Sequence, residues 1–269
     1  MINRRWIVTG DTHGQIVERL KKIKLKSADE KVSVIILGDA GINFYLNKTD
    51  MKNKETINAL DNFVIYCVRG NHEERPQNID GMMETYDINV DGTVYYEPMF
   101  PNIRYFMDGH IYLINGHPTL VIGGAYSVDK WFRLARFRPD ASWTGWFPEE
   151  QLTADEMTDI ENRVSGKHFD FILTHTCPES WQPFDMFISG LDQSTVDKSM
   201  EVWFDSLKNK IDWTAWLFGH FHDDRLVRPG VEMLFENCWD LEEIYTRWTT
   251  NEPLVGFKKD PYYHISEGE

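Results

Sequence analysis

Five short segments of this sequence place metal-ligating residue types directly after apolar runs. They are Gly10-Asp11-Thr12-His13, Gly38-Asp39, Gly70-Asn71-His72-Glu73, Thr174-His175 and Gly219-His220-Phe221-His222. Because ligand sites in open α/β sheets gather at the carboxyl ends of strands, we expect these side chains to meet in one place. Each segment alone has an ordinary explanation, such as a turn, a helix cap or a buried histidine. Their joint occurrence at five strand ends indicates a metal site.

The donor types in these segments point to a particular chemistry. They comprise carboxylate oxygens, one amide oxygen and several imidazole nitrogens. Such a mixed set suits Mn, Fe, Co, Ni or Zn better than Ca²⁺. No thiolate is included, which argues against a purely structural zinc site. Two metals about 3.5–4 Å apart can bind both oxygens of an in-line displacement and deprotonate a water between them, so the set suits hydrolysis.

The elements that would position these residues alternate in the first third of the chain. Apolar strand-like runs cover residues 6–9, 32–37 and 63–68, and residues 15–22 and 54–63 have helical character. This alternation predicts a mostly parallel sheet covered by helices. Short β-like runs between residues 94 and 124 are separated by Asp91-Gly92, Asp108-Gly109 and Asn115-Gly116. These dipeptides favour hairpin turns and predict an antiparallel stretch.

The second half continues the alternation. Residues 153–164 are predicted to form a helix, with Thr153 and Glu156 as a capping box. A strand at 169–173, a helix at 192–208, a strand at 213–218 and short strands from 226 to about 245 follow. We therefore predict one domain over residues 1–250, a substrate-cap loop at 126–150 and a C-terminal tail at 251–269.

Composition limits the classes of partner. The formal net charge of −15 disfavours long-range attraction to polyanions, although two divalent cations would reverse the field at one spot. The three cysteines, Cys67, Cys177 and Cys238, form no CxxC pair, which favours a reducing compartment. No signal-peptide pattern and no apolar run of about 20 residues is present. We expect a soluble, cytoplasmic protein without membrane contact.

The five motifs, in this order, resemble those of the calcineurin-like metallophosphoesterase superfamily. They span Asp11 to His222, which is most of the chain. The resemblance implies an α/β fold, a four-layer αββα sandwich of two mixed β-sheets flanked by helices, with a dinuclear metal site at the strand ends. It also implies hydrolysis of a small phosphodiester or phosphomonoester by a hydroxide bridging two metal ions.

The resemblance further implies a role for each motif residue. Asp11, His13 and His222 are expected to bind the first metal, Asn71, His175 and His220 the second, and Asp39 both. His72 is expected to donate a proton to the leaving oxygen or to hold the phosphoryl group, with Glu73 orienting its ring. The cofactors would be two divalent ions, Mn in first place, with Fe, Zn, Ni or Co as alternatives.

Substrate-binding candidates follow Gly123-Gly124. Arg133 and Arg136, together with Arg138, concentrate positive charge, and arginine binds phosphate oxygens through paired donors. The rings that could stack on a base or sugar are Tyr126, Trp131, Trp143 and Trp146. Arg69 is a further candidate. The alternative is a surface loop held by aromatic packing.

The second motif departs from one branch of the superfamily. Gly38-Asp39-Ala40-Gly41-Ile42-Asn43 lacks the Asp-Arg pair of protein Ser/Thr phosphatases, so we expect a small phosphoester as the partner. A nuclease acting on single-stranded nucleic acid is one alternative, disfavoured by the acidic charge. A non-catalytic scaffold is the other, disfavoured because no ligand type is missing. The sequence indicates no oligomeric state.

Overall fold

Two seven-stranded β-sheets organise the chain in the computed structural model, which describes residues 4–136, 145–187, 194–250 and the backbone of 258–259. The strands are β1 (Arg5–Thr9), β2 (Val32–Leu37), β3 (Phe63–Val68), β4 (Met83–Asp87), β5 (Gly92–Tyr96), β6 (Ile103–Tyr105), β7 (His110–Ile114), β8 (His117–Ile122), β9 (His168–Thr174), β10 (Asp212–Phe218), β11 (Arg225–Arg228), β12 (Val231–Met233), β13 (Trp239–Asp240) and β14 (Lys258–Lys259). The helices are α1 (Ile16–Leu20), α2 (Lys48–Asn58), α3 (Lys130–Arg136), α4 (Ala154–Val164), α5 (Ser199–Leu207) and α6 (Leu241–Thr250), with 3₁₀ turns at Pro76–Asn78, Glu179–Trp181 and Phe184–Met186.

Both sheets are mixed. The first has the order β13-β1-β2-β3-β6-β5-β4, and the second β14-β11-β12-β10-β9-β8-β7. Strands β1, β2, β3 and β6 are parallel, as are β8, β9, β10 and β12. Antiparallel strands lie outside these parallel centres. The parallel strands that precede the five motifs therefore lie in the centres of their sheets.

Alternation of side chains along the strands creates the layers. In β2, Ile35 and Leu37 pack into the core between the two sheets. Val34 and Ile36 point the other way and pack in a second core, which includes Ile16 of α1. Successive strand residues face opposite sides of a sheet, so an uninterrupted apolar run indicates burial on both faces.

The second sheet is covered in the same way. Its outward-facing residues pack with Ile160 of α4 and Phe204 of α5 in a third core. Thr153 accepts a hydrogen bond from Glu156 N, and Glu156 returns one to the Thr153 backbone, which confirms the predicted capping box. Helix, sheet, sheet and helix thus follow one another, and the predicted αββα sandwich is confirmed.

Several element boundaries differ from the predictions. Helix α2 begins at Lys48, because the Asn47 side chain caps it by accepting from Thr49 N at 2.8 Å. Helix α5 begins at Ser199, later than predicted. The predicted antiparallel stretch is divided, since β5 and β6 belong to the first sheet and β7 and β8 to the second.

The prediction of strands up to residue 245 was wrong for α6. Leu241 and Ile244 are spaced for one face of a helix and are fully buried in the core between the sheets. The predicted cap segment at 126–150 contains α3, and its residues 137–144 lie outside the described part. Of the tail at 251–269, only the backbone of 258–259 is described, where β14 pairs with β11.

Within the described ranges, no helix is both long enough and apolar enough to cross a lipid bilayer.

Candidate metal centre

The loops that follow β1, β2, β3, β9 and β10 converge at one edge of the sandwich. His13 N donates to Asp39 O at 2.8 Å, and His72 N donates to Asp39 Oδ1 at 2.8 Å. His220 N donates to Asp11 Oδ1 at 2.9 Å, which joins the two sheets. Strand ends far apart in sequence therefore deliver the motif residues to one site, as the sequence predicted.

The first group of candidate ligands is Asp11, His13 and His222, whose ligand atoms lie within 4.8 Å of one another. The His13 and His222 Nε2 atoms are 2.9 Å apart, and Asp11 Oδ2 is 3.2 Å from His222 Nε2. Asp11 is 1% exposed, and its Oδ2 accepts no hydrogen bond from any described residue. Two nitrogens bound to one ion at about 2.1 Å and at right angles are about 3.0 Å apart, so the geometry suits a cation.

The second group contains His175 and Asn71. His175 Nδ1 donates to Leu37 O at 2.7 Å, so Nε2 is the ring nitrogen that remains for a metal. Asn71 Nδ2 donates to Ser127 Oγ at 2.8 Å, which turns Asn71 Oδ1 towards His175 Nε2, 2.8 Å away. A cation beside both atoms would satisfy them.

Asp39 lies between the two groups. Its ligand atom falls within 4.8 Å of those of Asp11 and His175, and also of those of His13 and His72. Burial alone would raise the pKa of Asp39, but His175, His72 and His13 hold it well below the ordinary value. The carboxylate is therefore ionised at neutral pH, as a metal ligand must be.

His220 completes the set of predicted ligands. Its ring centroid is 4.9 Å from that of His175. Burial, reinforced by His175, lowers the pKa of His220 to about 3. The imidazole is thus neutral at physiological pH and has a lone pair available for a metal.

Four of these residues adopt left-handed backbone conformations. The φ angles are 44° for His13, 47° for Asp39, 70° for His220 and 55° for His222. Such angles are uncommon for residues other than glycine and cost roughly 1–3 kcal/mol each. Their concentration at one site means that the surrounding fold holds these side chains in place despite the strain.

Glycines beside the ligands allow this close packing. A Cβ atom on Gly70 would lie 2.0 Å from Asp39 Oδ1, and one on Gly219 would lie 2.4 Å from Asp11 Oδ1. Each glycine belongs to one motif and accommodates the carboxylate of another. The motifs therefore fit together sterically as well as chemically.

Gly70→Ala is accordingly expected to displace the Asp39 carboxylate. We predict a fall of about 10-fold to 100-fold in Mn²⁺ affinity, the range for residues that support metal ligands, measured by titrating metal-stripped protein. Gly116→Ala is the control, because a Cβ there meets nothing within 4 Å and adds only the strain of a left-handed φ. Equal Mn²⁺ affinities in the two variants would contradict the prediction.

His72 borders the metal groups without belonging to the ligands the sequence predicted. Its Nδ1 is 3.4 Å from Asp39 Oδ2, and its Nε2 is 3.1 Å from an Arg133 guanidinium nitrogen. Burial lowers the pKa of His72; Asp39 opposes this effect and Arg133 adds to it. Arg133 is fixed by Asp129, whose Oδ2 accepts from Nε at 2.7 Å. The predicted substrate residue Arg133 is thus brought directly to His72.

The expected role of Glu73 requires correction. Its Oε1 accepts a hydrogen bond from Gly70 N at 2.6 Å, and within the described residues no pairing with His72 forms. Burial, with Asp39 nearby, raises the pKa of Glu73 to about 8, so it is largely neutral at pH 7. Glu73 braces the loop after β3, whereas Asp39 and Arg133 are the neighbours of the His72 ring.

The contacts of Arg69 differ from those expected of a substrate-binding residue. It is buried, with Nε donating to Asp108 Oδ2 at 2.8 Å. Its other nitrogens donate to Glu150 O at 2.7 Å and Gly123 O at 3.2 Å. These bonds use the guanidinium to join the loops after β3 and β8, so its contacts do not support substrate binding.

The other predicted substrate residues are dispersed. Tyr126 lines a cleft beside the metal groups, and its hydroxyl donates to Thr195 O at 3.1 Å. Arg136 is exposed on α3 and stacks over Phe132 at 4.0 Å. Trp131 is 59% exposed. Lys130 Nζ lies 4.3 Å from the centre of the Trp146 ring, whereas Arg138 and Trp143 lie outside the described residues.

Three further residues at the site were not predicted. Ser127 orients Asn71, as described above, and its position after β8 could have suggested it as another strand-end residue. Glu201 and Gln182 border the same cleft, whose volume is about 640 Å³. Burial raises the pKa of Glu201 to about 7. Nothing in the sequence around Glu201 or Gln182 distinguishes them from residues of an ordinary helix or loop.

The site thus satisfies the requirements of a centre for divalent cations. Buried carboxylates, imidazole nitrogens and an amide oxygen lie close to one another, and the buried Asp11 Oδ2 has no hydrogen-bond partner among the described residues. Mixed oxygen and nitrogen donors of this kind suit first-row divalent metals.

Residues 4–224 match the family model for Calcineurin-like phosphoesterase. No curated protein matches the sequence. Among solved structures, the chain is similar to the crystal structure of Phosphopantetheinyl Hydrolase (PptH) from Mycobacterium tuberculosis, with 13% identity and a TM-score of 0.40 over 86% of this chain and 88% of that one. A likeness this distant carries no argument about the substrate.

Proposed function

This chain belongs to the calcineurin-like phosphoesterase family, and from that premise we propose that it hydrolyses a small phosphodiester or phosphomonoester at two divalent metal ions. Membership of the family establishes hydrolysis of phosphoesters in general. The two-metal proposal rests on the observation that the Asp39 carboxylate lies close both to Asp11 and His13 and to His175, which itself faces Asn71.

We assign the ligands as follows. Asp11, His13 and His222 hold the first ion, Asn71, His175 and His220 the second, and Asp39 reaches both. When bound, the two cations would lower the pKa of a water molecule and offset the charge of the phosphate oxygens. Mn²⁺ is our first choice, since oxygen donors share the site with imidazoles.

The chain itself contributes His72 and Arg133. His72 borders the cleft, and Arg133 approaches its Nε2 at 3.1 Å. Both side chains can donate to the oxygens of a phosphoryl group that lies beside the pair. A protonated His72 can also deliver its proton to the leaving oxygen. We therefore propose that this pair binds the phosphoryl group and that His72 assists departure of the alcohol.

A rate comparison with chromogenic esters tests the proposal. Metal-stripped protein should be inactive, and Mn²⁺ should restore hydrolysis of bis(p-nitrophenyl) phosphate, p-nitrophenyl phosphate or both. Preference for the first would indicate a phosphodiesterase, and preference for the second a phosphatase. Full activity after stringent removal of metal would overturn it, and so would the absence of activity on every phosphoester tested with two metals bound.

One observation keeps a nuclease as the second candidate. Trp131 and Phe132 are 59% and 56% exposed on α3, which carries Arg133 on the same helix. Aromatic rings beside arginines can stack on the bases of a single strand. Release of nucleotides from a single-stranded oligonucleotide would favour this candidate. For location we propose the cytoplasm, which agrees with the three free cysteines.

A further inference from the structure

The cleft beside the metal groups is much larger than a phosphate group requires. Its volume of about 640 Å³ is typical of sites that enclose a whole small organic molecule. His72, Asn71 and Asp39 border one part of it. The remainder must therefore receive the alcohol portion of a phosphoester, which becomes the leaving group.

Much of the remaining cleft wall is apolar. Its apolar residues are Val128, Met186, Phe187, Val196 and Phe221. Apolar surface gains free energy when it is removed from water, so this wall favours an alcohol with an apolar body. A sugar or glycerol would leave these side chains poorly matched.

Glu201 interrupts this wall with a buried carboxyl group. It is 4% exposed and borders the cleft. Its Oε1 accepts from Thr176 Oγ1 at 2.9 Å, and Thr176 O in turn accepts from Thr174 Oγ1 at 2.6 Å. Glu201 Oε2 is buried and, across the part of the chain that the structure describes, has no hydrogen-bond partner. A buried oxygen without a donor is costly, so a donor from a ligand would be favourable.

Gln182 provides a second acceptor in the same cleft. Its Oε1 is buried and accepts nothing from the described residues. Lys198, a cation that borders the same cleft, is already paired with Glu179, because its Nζ lies 3.0 Å from Glu179 Oε1. The unpaired groups at this end therefore call for donors rather than acceptors.

We propose that Glu201 and Gln182 form a subsite that selects phosphoesters whose alcohol has an apolar body bearing an N–H or O–H donor, such as a secondary amide. This inference rests on the proposed function and specifies its substrate class. The phosphoryl group would lie at the metal groups, and the donor would reach Glu201 Oε2. An amide and an amino group share this chemistry, and probes of each kind would separate them.

Matched probes test the subsite. The substrates are phosphate monoesters and methyl phosphodiesters of an alcohol ending in a secondary amide, a primary amine, or an ester in which oxygen replaces the amide N–H. Wild-type protein with Mn²⁺ should prefer a donor-bearing probe over the ester probe by about 10-fold or more in kcat/KM, because sites built for a donor reject analogues that lack it. Equal kcat/KM values for all three would overturn the proposal.

Glu201→Gln gives the sharper result. Its Oε1 can still accept from Thr176, so its amide nitrogen takes the place of Oε2 and presents a donor to the cleft. The preference should then shift towards the ester probe. Glu232→Gln is the control, because Glu232 is equally buried on β12, away from the cleft. An unchanged preference in Glu201→Gln would contradict the subsite.

The proposed subsite and the proposed phosphoesterase function can be contradicted independently. If the chromogenic esters are hydrolysed but no probe is preferred, the subsite is wrong and the phosphoesterase function stands. If neither the chromogenic esters nor the probes are hydrolysed by metal-loaded protein, the proposed function fails and the subsite with it.

Discussion

Replacing Asp39 with Asn is expected to lower kcat/KM for any phosphoester about 10³-fold or more. The metal centre contributes several kcal/mol to transition-state stabilisation, and each 1.4 kcal/mol is a factor of ten. Asn can still accept from His72 N, as Asp39 Oδ1 does, but it removes the negative charge between the two ligand groups. We expect fewer than two metal ions per chain by elemental mass spectrometry, together with the loss of rate.

Asp91→Asn is a closely matched control. Asp91 has a φ of 49° and Asp39 a φ of 47°, so both substitutions place Asn in the same backbone conformation. Asp91 is exposed in the turn between β4 and β5 and should keep full activity and metal content. Wild-type activity in Asp39→Asn would contradict our assignment of this carboxylate.

Replacing His72 with Gln is expected to lower kcat about 10²-fold to 10⁴-fold while both metals stay bound, the range for loss of a general acid. His72 lies beside Asp39 and Arg133 but is not among the ligands we assign. Rates and metal content should therefore separate in this variant. A parallel loss of metal would show that His72 acts as a ligand.

The leaving group distinguishes the two roles that His72 can have. If His72 donates a proton, the loss should be large for an alkyl ester and small for a p-nitrophenyl ester, whose leaving group needs no proton. If His72 only holds the phosphoryl group, both esters should lose rate equally. His168→Gln is the control, since His168 is exposed at the start of β9.

The predicted ligands share a local signature that sequence alone can provide. Each follows an apolar parallel strand, and a parallel sheet brings the carboxyl ends of its strands to one edge. The positions of Asp11, Asp39 and Asn71 follow directly from β1, β2 and β3, and that of His175 from β9. The order of the four layers followed from the resemblance, whereas the residues alone indicated only a mixed α/β fold.

Some side-chain contacts could not be predicted from the sequence, because they involve residues that are distant in the chain. Arg69 resembles a substrate-binding arginine until Asp108 and Glu150, 39 and 81 residues away, are seen to bind it. Glu73 follows His72 directly, yet its carboxyl turns to Gly70 because the turn geometry decides the direction of each side chain. Glu201 belongs to a segment for which the sequence predicted only a helix.

The bond between His220 N and Asp11 Oδ1 spans 209 residues, and β1 pairs along its edge with β13. Contacts so distant in sequence form late, because the entropy of closing long loops opposes them until most of the chain has folded. A nascent chain that has not yet placed β10 has only part of the ligand set. We therefore expect the chain to bind its full complement of metal only after β10 has placed His220 and His222.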